Sequence, residues 1–172
     1  MGGLCHLAGS WCPRTTLAGR PEVIPRINPD YTWFDLKIVR SPIHRWGVVA
    51  KQNIPKSRYV IEYTGQLLSR RTNKAVTSKR RHIFTYHLDN YWTLDGAVRG
   101  SGAERVNHSC DPNLYAEIRG HRVYFYSLRR IKKGEELTVD YQFEYDKNPV
   151  PCLCGTKKCR GTINLLKGQA SK

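Results

Sequence analysis

Long hydrophobic runs are missing from this chain. No stretch of its 172 residues approaches the roughly 18 consecutive apolar residues of a membrane-spanning helix, so no membrane association is expected. The opening MGGLCHLAGSWCPR lacks a basic segment followed by a long apolar core. It is a poor secretory signal and points to an intracellular setting. Gly2 follows Met1, but the rest of a myristoylation signal is weak. Internal repeats and low-complexity tracts are absent, and the length suits one domain with a real core. Acidic residues are scarce: 14 Asp and Glu stand against 29 Lys and Arg, a net charge of +15. Such an excess attracts polyanions or acidic protein surfaces, which puts nucleic acid, a nucleosome or a ribosome among the candidate surroundings. Charge does not choose among these, and a basic protein without a special partner has the same composition.

Cysteine is present six times, as Cys5, Cys12, Cys110, Cys152, Cys154 and Cys159. An even count permits disulfides, but an intracellular chain favours metal ligation or free thiols. Residues 1–32 are rich in Gly, Pro, Arg and Thr and read as a loose arm, with Cys5 and Cys12 as incidental thiols. Alternation of apolar and polar residues predicts strands over 34–39, 46–50, 59–63, 84–88, 91–94, 123–128 and 136–141. Turns are expected at 54–57, at Thr64-Gly65 and at 132–135. Ser69 is a plausible N-cap for a polar, basic, helix-compatible stretch to about His82. Its cations Arg70, Arg71, Lys74, Lys79, Arg80 and Arg81 form either a solvated face or an anion-contacting edge. The chain is therefore expected to be mainly β, in small sheets, with few short helices.

Two stretches carry chemistry. CLCGTKKC at 152–159 places three thiols within eight residues, with lysines that keep the loop solvated and favour thiolates. Three thiolates leave a tetrahedral zinc one ligand short, and Cys110 is the leading candidate for the fourth. A redox pair or free thiols are the alternatives. Cys110 itself sits in NHSCDPN at 107–113, a polar stretch ending in a turn-forming Asp-Pro-Asn.

NHSCDPN at 107–113 followed by EELTVDY at 135–141 resembles the two signature motifs of the SET-domain family. The cysteines at 152, 154 and 159 resemble that family's post-SET zinc tail. Order and separation match, and the likeness covers about residues 33–165. It implies a fold of small β-sheets with a knot-like C-terminal crossing over residues 33–146 and a zinc-bound tail over 147–172. It implies a protein-lysine methyltransferase that uses S-adenosylmethionine, with a histone, a nucleosome or another basic protein as substrate. Location would then be the nucleus or chromosome in a eukaryote and the cytoplasm in a bacterium. Tyr141 matches the family's catalytic tyrosine. Tyr63, Phe84, Tyr86, Val139 and Phe143 match the lysine channel. Arg45, Trp46, Gly47, Trp92, Asn107, His108, Ile163 and Leu165 match cofactor-binding positions, and Cys110, Cys152, Cys154 and Cys159 match the zinc ligands.

Some positions depart from the family pattern. Arg45 stands where a glycine is common, Gln66 where a glutamate is common, and Glu104 and Arg105 where an Arg and an apolar residue often precede the Asn-His pair. The cysteine-rich pre-SET cluster is absent. A catalytically weak SET-fold protein that binds chromatin or nucleic acid is the alternative function, and a zinc-stapled nucleic-acid module is a third. Tyr141 and the Asn107-His108 pair favour the enzyme. Val139 stands two before the catalytic tyrosine, where relatives carry Phe or Tyr, so a di- or trimethylated product is expected unless Tyr86 or Tyr126 supplies a hydroxyl to the same spot.

Overall fold

Ten short strands and one α-helix organise the described residues of the computed structural model, which are 24–80 and 82–169. Gly2, Cys5 and Cys12 lie outside them. The strands are β1 (Leu36–Arg40), β2 (Trp46–Ala50), β3 (Tyr59–Tyr63), β4 (Gln66–Ser69), β5 (Thr85–His87), β6 (Trp92–Asp95), β7 (Asn107–His108), β8 (Leu114–Arg119), β9 (Arg122–Ser127) and β10 (Glu136–Val139). They form three small sheets in the orders β1-β2-β10-β7, β3-β9-β8 and β4-β6-β5. All pairings within these sheets are antiparallel except that of β10 with β7. The mainly β architecture expected from the sequence is what is found. No helix among the described residues is long and apolar enough to cross a membrane.

Alternation explains both the strands and the core. In β9 the side chains of Val123, Phe125 and Ser127 point inward, while Arg122, Tyr124 and Tyr126 point outward. Phe125, Ile54, Ile61, Leu114, Ile131, Leu137, Val48, Val60 and Val123 are fully or almost fully buried and join the sheets through one core. Each such side chain stabilises the fold by about 1.5–3 kcal/mol relative to an exposed one. Ile54, read as the start of a turn, bridges Ile131 across this core.

The helix α1 (Arg70–Thr77) begins as predicted, with the Ser69 hydroxyl accepting the Thr72 N–H at 3.1 Å. It ends earlier than the expected limit near His82. The Thr77 and Ser78 hydroxyls donate back to the carbonyls of Asn73 (2.8 Å) and Ala75 (3.0 Å), an alternative to helical continuation. Arg80 then turns aside to the buried carboxylate of Asp95, at 2.6 Å. The N-terminal side of the domain also differs from a loose arm over its last residues. Ile27 packs on the core, the Asn28 N–H donates to the Ser101 carbonyl at 2.8 Å, and Thr32 bridges Ile61.

Candidate active site and metal centre

The parallel pairing of β7 with β10 brings the two signature stretches together. Thr138 lies opposite Asn107 and Val139 opposite His108, and the Ser109 N–H extends the ladder to the Val139 carbonyl at 3.1 Å. Buried Asn113 pins β10 from the other side. Its amide donates to the Glu136 carbonyl at 2.8 Å, and its Oδ1 accepts the Thr138 N–H at 2.8 Å. The Asn107 amide reaches instead to the turn before β2, 3.3 Å from the His44 carbonyl and 3.0 Å from that of Trp46. It also lies 2.8 Å from Glu136 Oε1, and the same carboxylate accepts the Ser41 hydroxyl at 2.9 Å.

That turn is shaped by close approach. A Cβ on Gly47 would come 2.1 Å from Glu136 Oε1, so no side chain fits there unless the carboxylate moves. Arg45 holds a φ of 41°, in the left-handed region that glycine enters without a Cβ penalty. The glycine common at this position of the family pattern therefore has a backbone reason, and Arg45 adopts the same conformation at some cost. Its guanidinium meets His82 Nε2.

Tyr141 follows β10 directly. Its hydroxyl donates to the Val106 carbonyl at 2.9 Å, and its backbone N–H donates to His108 Nδ1 at 3.2 Å. Burial, with the Glu136 charge adding, pushes the hydroxyl pKa up to about 12. The side chain as a whole is nevertheless 38% exposed, so the exposure belongs to the ring and the hydroxyl end is the desolvated one. His108 is held near 4 by burial, with Arg160 helping and Asp140 opposing. It is thus neutral at physiological pH. With Nδ1 accepting from Tyr141, the proton is assigned to Nε2, 3.4 Å from Cys110 Sγ. The 3.5 Å approach of Asp140 to Nδ1 is accordingly not an ion pair.

Of the aromatic residues assigned to the channel, Tyr63, Phe84 and Tyr86 gather on β3, β5 and the segment before β5, whereas Phe143 lies against Tyr141 and the tail. The buried Tyr63 hydroxyl donates to the Phe84 carbonyl at 2.8 Å, and the Tyr86 ring lies 5.5 Å from that of Tyr63. Phe125 closes the group from β9, 6.2 Å from Tyr63 and 6.3 Å from Tyr86. Burial lifts Tyr86 to about 12 and Tyr63 well above its ordinary value, with Glu104 and Tyr141 adding to the latter shift. Glu104 is absorbed by the fold: its carboxylate accepts the Gly102 N–H at 2.8 Å, and a Cβ on Gly96 would meet the Glu104 Cβ at 2.8 Å. Arg105 stacks over the Phe84 ring at 4.2 Å.

The cysteine tail folds back onto the crossing. The sulfurs of Cys110, Cys152, Cys154 and Cys159 all lie within 4.8 Å of one another, with Cys110 and Cys152 3.7 Å apart. Four thiolates at about 2.3 Å from a tetrahedral zinc stand about 3.8 Å apart, so the spacing fits. Backbone N–H groups of Arg160, Cys154 and Gly161 point at the sulfurs of Cys110, Cys152 and Cys159 at 3.4, 3.5 and 3.4 Å, which favours thiolates. Burial pushes the Cys110 and Cys152 thiols up, whereas at Cys154 hydrogen bonds outweigh burial and pull the thiol down to about 5. Four thiols this close ionise together only against a cation, so the donor set suits zinc. Beyond the cysteines, Asn164 bridges Phe143, and the Leu165 N–H donates to the Phe143 carbonyl at 2.7 Å.

The 44–47 turn, Asn107, His108, Tyr141, Phe143, Ile163 and Leu165 therefore form one connected run, with the channel aromatics beside it. Val139 is buried in the core next to His108. Trp92 stands apart. Its ring packs on Tyr91 (4.7 Å) and His121 (5.4 Å), and it makes no described contact with the other residues matched to the cofactor. The reason is pairing: β6 lies between β4 and β5, which sets Trp92 opposite Ser69. Sequence reasoning passed over Ser41, Asn113, Glu136, Asp140 and Arg160. Four of these are in or next to the quoted motifs, and Ser41 had no local signal.

Comparison with known proteins agrees with this geometry. Residues 45–142 match the SET domain, more than half of the chain. Over 140 residues the chain is 40% identical to histone-lysine N-methyltransferase set-2 of Caenorhabditis elegans, which covers 75% of the chain and 9% of that protein. It is 38% identical over 141 residues to the H3 lysine-4 specific histone-lysine N-methyltransferase of Chaetomium globosum, covering 75% and 13%. It is 36% identical over 139 residues to histone-lysine N-methyltransferase trithorax of Drosophila virilis, covering 74% and 4%. The chain thus spans a small fraction of the length of these relatives. With its signature stretches paired in one sheet, its four thiols gathered and its match extending over most of the folded part, this chain belongs to the SET-domain family.

Proposed function

We propose that this chain is the catalytic domain of a protein-lysine N-methyltransferase that takes its methyl group from S-adenosylmethionine and places it on a lysine of a histone or another basic protein. The observation that carries the reading is the position of Tyr141. Tyr141 directly follows the strand that pairs with Asn107 and His108, its hydroxyl donates to the Val106 carbonyl, and Asn107 reaches the 44–47 turn. The relatives' names point the same way.

The residues suit the cofactor. Tyr141 and Phe143 are 38% and 47% exposed with ring centroids 5.5 Å apart, an uncovered aromatic surface that the tail meets at Leu165. Such a surface accepts an adenosyl group, while the 44–47 turn and Asn107 would hold the amino-acid end. When bound, the cofactor supplies a methyl group on a positively charged sulfur, open to in-line attack. The protein supplies the rest. Free lysine has a pKa of about 10.4 and must lose its proton before it can attack. Tyr63, Tyr86 and Tyr141 are buried phenols that stay neutral at physiological pH, so they offer a low dielectric that disfavours the ammonium. The Tyr141 hydroxyl donates its hydrogen bond to the Val106 carbonyl, which leaves its oxygen lone pairs to orient the amine. Tyr141 is therefore a positioner of the nucleophile and not a base.

The basic surface suits action on chromatin, and contact with nucleic acid belongs to the same proposal. The test is transfer of labelled methyl from S-adenosylmethionine to histones, nucleosomes and lysate proteins, followed by mapping. Label on lysine side chains is the expected result. A folded, zinc-loaded protein that binds the cofactor and labels nothing would leave the non-catalytic binder as the better reading.

A further inference from the structure

Arg160 touches three parts of the site at once. Its backbone N–H donates to Cys110 Sγ at 3.4 Å. Its Nη1 and Nη2 grip both oxygens of Asp140, at 2.7 and 2.8 Å. Its Nε and Nη2 donate to the carbonyls of Asn164 at 2.9 Å and Ile163 at 2.6 Å. The Arg160 and Asp140 side chains are only 13% and 21% exposed, so the pair is far better shielded than a surface ion pair. Asp140 directly precedes Tyr141, and its Oδ1 also accepts the Gln142 N–H at 3.0 Å, which fixes the backbone on both sides of that tyrosine.

We infer that Arg160 is a positioning residue that locks the tail segment 162–165 to the end of the catalytic strand, so that closure over the cofactor and placement of Tyr141 are a single event. This rests on the methyltransferase reading above. The four cysteines tie residues 152–159 to Cys110, but none of them fixes 162–165 against 140–143. The Asn164–Phe143 bridge and the Leu165 N–H bond do so only through backbone. The guanidinium fork adds what those bonds lack: a rigid, planar set of donors that reaches Asp140 and two tail carbonyls together. A lysine at this position could reach one of these acceptors but not all of them.

The experiment uses Arg160→Lys, Asp140→Asn and the double variant, each loaded with zinc. Zinc content comes from metal analysis, cofactor affinity from calorimetry, and local opening from hydrogen exchange at residues 162–166. Both single variants should keep the zinc of the unaltered protein, bind S-adenosylmethionine weaker by on the order of tenfold, and exchange faster over 162–166. The double variant should be no worse than either single one, because both remove the same lock. Unchanged affinity and exchange in the single variants, additive losses in the double, or loss of zinc in Asp140→Asn would each overturn the proposal. If Arg160→Lys does not fold, Asp140→Asn carries the test alone, since it leaves the cysteine loop untouched. An unaltered protein that neither binds the cofactor nor transfers methyl would remove the functional reading, while the exchange comparison would still decide the lock.

Discussion

Tyr141 keeps its proton in a hydrogen bond to a backbone carbonyl, and this decides what its loss should do. Tyr141→Phe preserves the ring packing against His108 and Phe143 and removes only the hydroxyl. Turnover should fall at least about tenfold, roughly 1.4 kcal/mol at the transition state, while circular dichroism and zinc content stay unchanged. Steady-state kinetics on a correctly folded variant check this, and undiminished turnover would remove Tyr141 from the mechanism. Val139 makes the second residue-scale prediction. Of the two tyrosines that sequence allowed as substitutes for a missing hydroxyl, Tyr126 stacks on Tyr115 at 5.5 Å, on the face of β9 opposite Phe125. Tyr86 instead faces Tyr63, 5.5 Å from its ring. With valine two before Tyr141, the product should reach the di- or trimethyl state in mass spectra taken at long times with excess cofactor. A clean stop at one methyl would point to the Tyr86 hydroxyl, and Tyr86→Phe should then release it.

Elements set how much of this was legible beforehand. Strands such as β2 and β9 were readable because a continuous or alternating apolar pattern fixes them locally. The strand β8 was not assigned, although Gly120-His121 joins it to β9 as a two-residue hairpin with Gly120 at a φ of 59°. Its residues LYAEIR carry no clean alternation, and the hairpin signal lay in the turn. The two-residue β7 had no local strand signal at all, since only its partner β10 makes it a strand. The site was legible where it lay inside a motif, and illegible where it depended on side chains meeting across the fold, as Ser41 does with Glu136. The metal tail belongs to this scale too. The protein should carry about one zinc on four thiolates. Cys110→Ser should lower zinc content and methyl transfer together, because Cys110 is the thiol that the crossing adds to the cluster. Active protein without zinc in metal analysis would sink that assignment.

Charge acts on the whole molecule. The net +15 is not spread into ion pairs everywhere: among the described residues Arg70, Arg71 and Lys74 have no carboxylate within salt-bridge distance. If the chain meets nucleosomal DNA through such cations, its affinity for duplex DNA should fall at least about tenfold between roughly 50 and 200 mM salt. Replacing Arg70, Arg71 and Lys74 by Gln should flatten that slope, as measured by fluorescence anisotropy. Binding that is absent, or indifferent to salt, would leave the charge as a solubility feature.

The β7–β10 crossing also governs when the protein can work at all. Ser41 meets Glu136 across 95 positions, and Cys110 meets Cys152 across 42. The turn, the crossing and the tail are made far apart on the ribosome and meet only in the finished fold. Long-range pairing of this kind forms late, after the local hairpins have been gained. On the methyltransferase reading, a polypeptide that ends before residue 165 lacks the tail contacts to Phe143 and should transfer no methyl groups.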